Sequence, residues 1–267
     1  MKHISVATLI SAILLFQISS SAQQQSTSAA KPGSPERYEA WLKRTGGHCK
    51  GTSKGGEYLF LDCTSNGLKG LGDIVKRMSA LFDLVMTCEQ GTLQPKEYPV
   101  DAARRILKER NNVSAITIIY EGGIDNPIEI YSPMEKMSIL NITPLSSSDQ
   151  KVLSDRLLAM SNRAVIFTAG GVMQFGFDGV MKNLQSISDI DSLSTKTAHP
   201  ISVQQIKLNA PEIGIAQHLH STYRVACRQG WAPAPTNDIQ KAIWDEIHSE
   251  IEKGPPKALQ ILPPMPK

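Results

Sequence analysis

Apolar positions recur along the chain with two different periods. Residues 74, 75, 78, 81 and 82 (Ile, Val, Met, Leu, Phe) lie at i, i+1, i+4, i+7 and i+8, one face of a helix over residues 73–82. Residues 99–110 repeat the pattern with Ala102, Ala103, Ile106 and Leu107 inward, behind a proline suited to a first helical turn. Between such stretches stand short β-branched or aromatic runs: 57–63 (EYLFLDC), 113–120 (VSAITIIY), 127–131 and 137–143, while 84–88 could start a strand or extend the helix before it. Residues 148–169 form the longest predicted helix, stopped by Gly170 and Gly171. Two further helices are predicted over 211–228 and 236–253, the second with Ile239, Ala242, Ile243, Ile247 and Ile251 on one face. Ser34-Pro35 reads as the start of a first helix, followed by a basic, glycine-rich loop over 46–56. Strands alternating with helices early, and helices dominating late, predict a mixed α/β (α+β) fold: one domain with a small mixed sheet, a long central helix and a helical C-terminal part.

The ends of the chain read differently. Lys2 and His3 precede an apolar run and the small residues Ser20-Ser21-Ala22, so residues 1–22 are expected to be a cleaved signal peptide. The run is shorter than the roughly 20 apolar residues of a membrane span. Residues 23–33 lack large apolar side chains and are expected to be a Gln/Ser-rich tether. The globular domain is then expected over 34–254 and a proline-rich tail over 255–267. Together these predict an exported protein, periplasmic or secreted, with no transmembrane segment after cleavage. The formal charge of +3 over 267 residues argues against a nucleic-acid partner.

Export makes the four cysteines, Cys49, Cys63, Cys88 and Cys227, disulfide candidates. Cys49 with Cys63 closes the shortest loop, leaving Cys88 for Cys227, although three connectivities are open. No intact catalytic motif is present. The glycine-rich segment GGHCKGTSKGG lacks the Gly-Lys-Ser/Thr of a phosphate-binding loop, and there is no G-x-S-x-G elbow. His218 and His220 could share a face and ligate a metal on a strand, with His48 joining in space, but the surrounding period is helical and splays them apart. Asp189, Asp191 and Glu212 are scattered acids with no spacing that selects a reaction.

One stretch resembles a known family. The order of buried strand, two strands, long helix ending in Gly170, and then Val180-Met181 followed by Asp189 and Asp191 is similar to the core of the archaemetzincin-type metzincin metallopeptidases. That family carries H-E-x-x-H-x-x-G-x-x-H on its long helix and a Val-Met turn beyond it. Placing Val180-Met181 on the turn and Gly170 on the motif's glycine sets the three zinc-histidine positions at Arg163, Phe167 and Met173, and the general-base position at Ala164. The resemblance therefore implies a relative without zinc ligands or base: a pseudo-peptidase with no catalytic residue and no cofactor, binding another protein or an extracellular ligand. Two alternatives stand beside it. One is a secreted metal-dependent hydrolase whose site gathers dispersed residues such as His48, His199, His218, His220 and acids. The other is a surface-associated structural module using the tether and the tail.

Overall fold

The computed structural model describes residues 34–170 and 179–253. The expected signal peptide, tether and proline-rich tail, together with Gly171 and Met173, lie outside the described residues. The chain divides into two compact units, Met1–Trp41 and Leu42–Lys267, and α1 (Pro35–Thr45) runs across the division. In the first unit, Ser34 accepts the amides of Arg37 and Tyr38 on its carbonyl at 3.1 and 3.2 Å, and Tyr38 stacks on Trp41.

The second unit is built on a five-stranded sheet. Its strands are β2 (Glu57–Asp62), β3 (Met86–Gln90), β4 (Val113–Tyr120), β5 (Glu129–Ser132) and β6 (Met137–Asn141), ordered β3-β2-β4-β6-β5. The first four in that order are parallel, and β5 closes one edge antiparallel to β6. Alternation along β2 sends Tyr58 and Phe60 to one face and Leu59 and Leu61 to the other. The first face is covered by α2 (Leu71–Phe82), α4 (Gln150–Thr168) and α6 (Pro200–Ile213), and the second by α3 (Pro99–Glu109). Burial on both faces is why 113–120 reads as an almost continuous apolar run rather than an alternating one. One polar row crosses the first face: the Tyr58 hydroxyl lies 2.8 Å from Thr117 Oγ1, which lies 2.7 Å from Ser138 Oγ. A short α5 (Ile187–Asp191) interrupts the segment between α4 and α6.

The largest departure from the sequence-based expectation is a second sheet. β1 (His48–Thr52) and β7 (His218–Thr222) pair antiparallel as a two-stranded ribbon. The expected loop over 46–56 thus contains a strand, and the expected helix over 211–228 is three elements: the end of α6, β7, and α7 (Tyr223–Arg228). The cause is local. Helix α6 starts earlier, with Pro200 at its first position and His199 Nδ1 accepting the Ile201 amide at 3.2 Å, and it ends at Gly214 in the left-handed region, φ +88°. Pro211 sits in its last turns without an N–H to give to the Lys207 carbonyl, and the Gln217 side-chain amide donates to that carbonyl instead, at 2.6 Å. The chain leaves the helix there and extends. The ribbon joins the main sheet region through Gly55 and Gly56. At Gly55, φ is +146° and a Cβ would lie 2.6 Å from the Gly214 carbonyl oxygen, so only glycine allows the close backbone approach. Behind the ribbon, α7 and α8 (Asp238–Lys253) bury Tyr223, Ala226, Cys227, Ile243 and Ile247 with Cys49. Of the predicted face of α8, only Ile243 and Ile247 are buried; Ile239 and Ile251 are exposed. Among the described residues no helix is long and apolar enough to cross a membrane.

Candidate functional site

Helix α4 brings the candidate positions together. Asp149 caps it, its carboxylate accepting the amides of Lys151 and Val152 at 2.8 and 3.4 Å. Most of its second half is buried between the sheet and its neighbours, which is why its apolar residues do not keep to one stripe. Arg163 lies in that half and is 4% exposed. Such a cation needs partners on every side, and the fold supplies them. Its Nε donates to both carboxylate oxygens of Glu129, at 2.9 and 3.0 Å, and its Nη1 donates to the carbonyls of Val180 and Lys182, each at 2.8 Å.

The edge strand completes the cluster. Glu129 and Tyr131 alternate on β5 and so share a face. The Tyr131 hydroxyl donates to Glu129 Oε2. Burial first, and the Glu129 charge second, push the Tyr131 phenol well above its ordinary range. Phe167, one turn beyond Arg163 on α4, stacks on the Tyr131 ring with centroids 4.4 Å apart, and the Arg163 guanidinium lies 5.0 Å from the Phe167 centroid. An i, i+4 pair on the helix thus meets an i, i+2 pair on the strand. Beside Glu129 a cleft of ≈ 300 Å³ opens between Asn126–Pro127, Met160 and Leu184–Gln185.

Ala164 is fully buried, and Val180 and Met181 are 2% and 6% exposed. Gly170 follows the helix in the left-handed region, φ +78°. Asp189 is a cap rather than a free acid. Its Oδ2 accepts from the amides of Gln185 and Ser186 and from Ser186 Oγ, and those hydrogen bonds hold its carboxyl below the usual range. Asp191 is held by Arg156 through two hydrogen bonds of 2.8 and 2.7 Å.

The zinc of the resembled family does not fit these residues. A guanidinium is itself a cation with N–H donors and no lone pair to offer, a phenyl ring has no donor atom, and Ala164 has no group to take a proton. Arg163, expected at the first zinc-histidine position, is instead a positive charge already shared among a carboxylate and two carbonyls.

Among the described residues the histidines form no alternative centre. His218 and His220 stand on a strand, not the expected helix, so they do share a face; Lys50, a cation, is directly opposite His220, and His48 is opposite Thr222. His218 Nε2 lies 3.0 Å from Ser79 Oγ. His199 is the α6 cap, and His248 stacks on Trp244 with its Nδ1 2.9 Å from the Trp244 carbonyl. Among the described residues no three His, Cys, Asp or Glu side chains are grouped to hold a metal ion.

The cysteines are free thiols. The pairing expected from loop length, Cys49 with Cys63, is not the one the fold brings together. Cys49 faces the α7–α8 cluster, whereas Cys63 packs against the α3 side of the main sheet. Burial above all, with the charges of Asp62 and Glu97, pushes the Cys63 thiol up to about 11. Sequence reasoning reached Arg163 and Phe167 as departures from a motif but missed Glu129 and Tyr131. Their only sequence signal is an acid and an aromatic two apart on a predicted strand.

No protein-family model matches the chain, and no curated protein matches it. Among solved structures the chain is similar to an archaemetzincin of Methanopyrus kandleri, with 13% identity, 58% of this chain and 96% of that chain covered, and a TM-score of 0.47. It is similar to a zinc-dependent peptidase of Methanocorpusculum labreanum at 15% identity, covering 57% of this chain and 100% of that one, TM-score 0.44. An archaemetzincin of Archaeoglobus fulgidus, complexed with malonate, shares 10% identity, with 56% and 99% covered and a TM-score of 0.44. These are likenesses of fold alone.

Proposed function

We propose that the chain is an exported, non-catalytic binding protein on an archaemetzincin-like scaffold, recognising another protein or an extracellular ligand. The observation that carries the reading is Arg163. At the position where the resembled motif keeps its first zinc histidine, the chain has a buried cation engaged by Glu129 and by the carbonyls of Val180 and Lys182. A catalytic zinc site needs neutral or anionic donors, an open coordination position and a base for the water. Arg163, Phe167 and Ala164 supply none of these. The contacts of Arg163 and Phe167 join α4 to the edge strand β5 and to the Val180 carbonyl beside the cleft at Glu129. Residues 1–22 support the export part of the proposal.

The test uses the mature chain recovered from its native compartment. The expected result is recovery outside the cytoplasm and cleavage after Ala22, no stoichiometric zinc, and no cleavage of a mixed peptide pool with or without chelator. Chelator-sensitive peptide cleavage would overturn the non-catalytic reading, as would a stoichiometric metal lost on His218→Ala or His220→Ala. Retention of residues 1–22 on a cytoplasmic protein would overturn export.

A further inference from the structure

Cys49 and Cys227 are far apart in sequence and meet in one buried cluster. Antiparallel pairing of β1 with β7 sets Cys49 opposite Ser221. Its side chain turns inward, away from the solvent-facing row of Lys50 and His220, and it is 8% exposed. Cys227 comes from α7, directly after β7, and is 3% exposed. The two thiols pack among Tyr223, Ala226, Ile243 and Ile247. They are near enough that, after burial, the charge of Cys227 is the next influence raising the Cys49 thiol.

The other two cysteines are kept from each other. Cys63 continues β2 on the side of Leu59 and Leu61, which faces α3. Cys88 stands opposite Phe60, whose side chain belongs to the other face of the sheet. Register partners on parallel strands share a face and neighbours along a strand alternate, so Cys63 and Cys88 point to opposite sides. Neither belongs to the cluster holding Cys49 and Cys227.

We propose that Cys49 and Cys227 are a disulfide site, the single intramolecular bridge this fold forms, with Cys63 and Cys88 remaining thiols. The co-reactant is a low-molecular-weight disulfide. One cysteine thiolate attacks a sulfur of that disulfide, forming a mixed disulfide and releasing one small thiol. The second cysteine thiolate then attacks the protein sulfur of the mixed disulfide, forming the Cys49–Cys227 bond and releasing the second small thiol. The protein gives up two protons and two electrons, and the oxidant is reduced to two thiols. Burial keeps both cysteines protonated, so exchange runs through transient opening of the ribbon and is slow. The bond would fasten β1 to α7 independently of the proposed function.

The full chain, reduced and unfolded, is refolded in a buffer of oxidised and reduced glutathione, quenched by alkylation and mapped by mass spectrometry. The expected product has lost two of its four thiols, yields one linked peptide pair containing Cys49 and Cys227, and melts higher than the fully reduced chain. Cys63→Ser/Cys88→Ser should lose both remaining thiols, and Cys227→Ser should keep all of its own. A bridge that includes Cys63 or Cys88, or four free thiols at equilibrium in a wild-type chain that has refolded, would overturn the proposal.

Discussion

Arg163 on helix α4 and Glu129 on the edge strand β5 are joined through one nitrogen, with Nε 2.9 and 3.0 Å from the two carboxylate oxygens. The second nitrogen is thereby left to hold the carbonyls of Val180 and Lys182. One side chain thus connects three segments distant in sequence.

Breaking that connection is expected to be costly. Arg163→Met strands the Glu129 carboxylate, 20% exposed, and leaves two carbonyls without their donor. Loss of one partner of a buried pair costs about 3–5 kcal/mol. Glu129→Met in the same background removes the stranded charge, so the double variant should recover part of the loss, with a coupling of roughly 0.5–3 kcal/mol. Urea unfolding of the four chains measures this, and strictly additive losses would contradict the account.

Stability should fall at alkaline pH through the buried phenols. Burial raises Tyr58 and Tyr131, and Tyr223 is pushed from 10.0 up to about 12, burial being its largest cause as well. Their folded values lie above their unfolded ones, so their contribution is complete below pH 10 and is lost as the pH rises through the folded values. The denaturation midpoint should stay level up to about pH 10 and then decline. Tyr131→Phe should show a smaller decline than the parent. An unchanged pH profile in that variant would argue that Tyr131 is not a buried, neutral donor to Glu129.

Gly55→Ala tests the junction of the two sheets. The new Cβ would sit 2.6 Å from the Gly214 carbonyl oxygen at a φ of +146°. A cost of about 1–3 kcal/mol follows from such backbone strain. It should be felt first where the Gly56 amide donates to the Gly214 carbonyl and the Gly56 carbonyl accepts the Ala216 amide. Hydrogen exchange at the Ala216 amide should quicken before exchange in β4 does. Uniform quickening throughout the domain would mean that the ribbon does not open by itself.

Asp62 is an internal strut of the loop after β2. It is 5% exposed; its Oδ1 accepts from the amide and hydroxyl of Thr64, and its Oδ2 from the Leu68 amide at 2.6 Å. Asp62→Ala leaves those donors unpaired, at a cost of about 1–3 kcal/mol. Asp62→Asn can still accept at one oxygen but turns a donor toward the Leu68 N–H. Exchange at Leu68 should therefore rise in both variants, with Thr64 better protected in Asn than in Ala. Equal protection of Leu68 in Asn and parent would show that the carboxylate is not needed there.

Four strands of the main sheet and helices α2 and α3 were readable from local signals, such as the apolar stripe of α2 and the β-branched run of β4; α4 was readable from its length and its glycine stop, and the segment of β3 was left open between strand and helix. The ribbon was not. HCKGT and HLHST are short, polar strands, and each is ordered chiefly by the other across 172 residues of chain, a pairing with no local trace. The expected helix over 211–228 failed for the same reason, since its apolar spacing was assembled from residues that belong to three elements. At the candidate site, Arg163 and Phe167 were visible only against a motif they break. Glu129 lies 34 residues upstream of Arg163, and its role comes from the edge position of β5, which local sequence does not encode.

The hydroxyl row on the sheet also identifies the strands to one another. Phe60 lies opposite Thr117, and Thr117 opposite Ser138. In this alignment the Tyr58 hydroxyl reaches Thr117. Sliding β4 by a single residue would turn Thr117 onto the side of Ala102, Ala103 and Ile106, where nothing polar awaits it, and would leave Tyr58 and Ser138 without their shared partner. Three hydroxyls inside an otherwise apolar face thus act as a vernier, penalising the alignments one step either side in a sheet whose strands are buried on both faces.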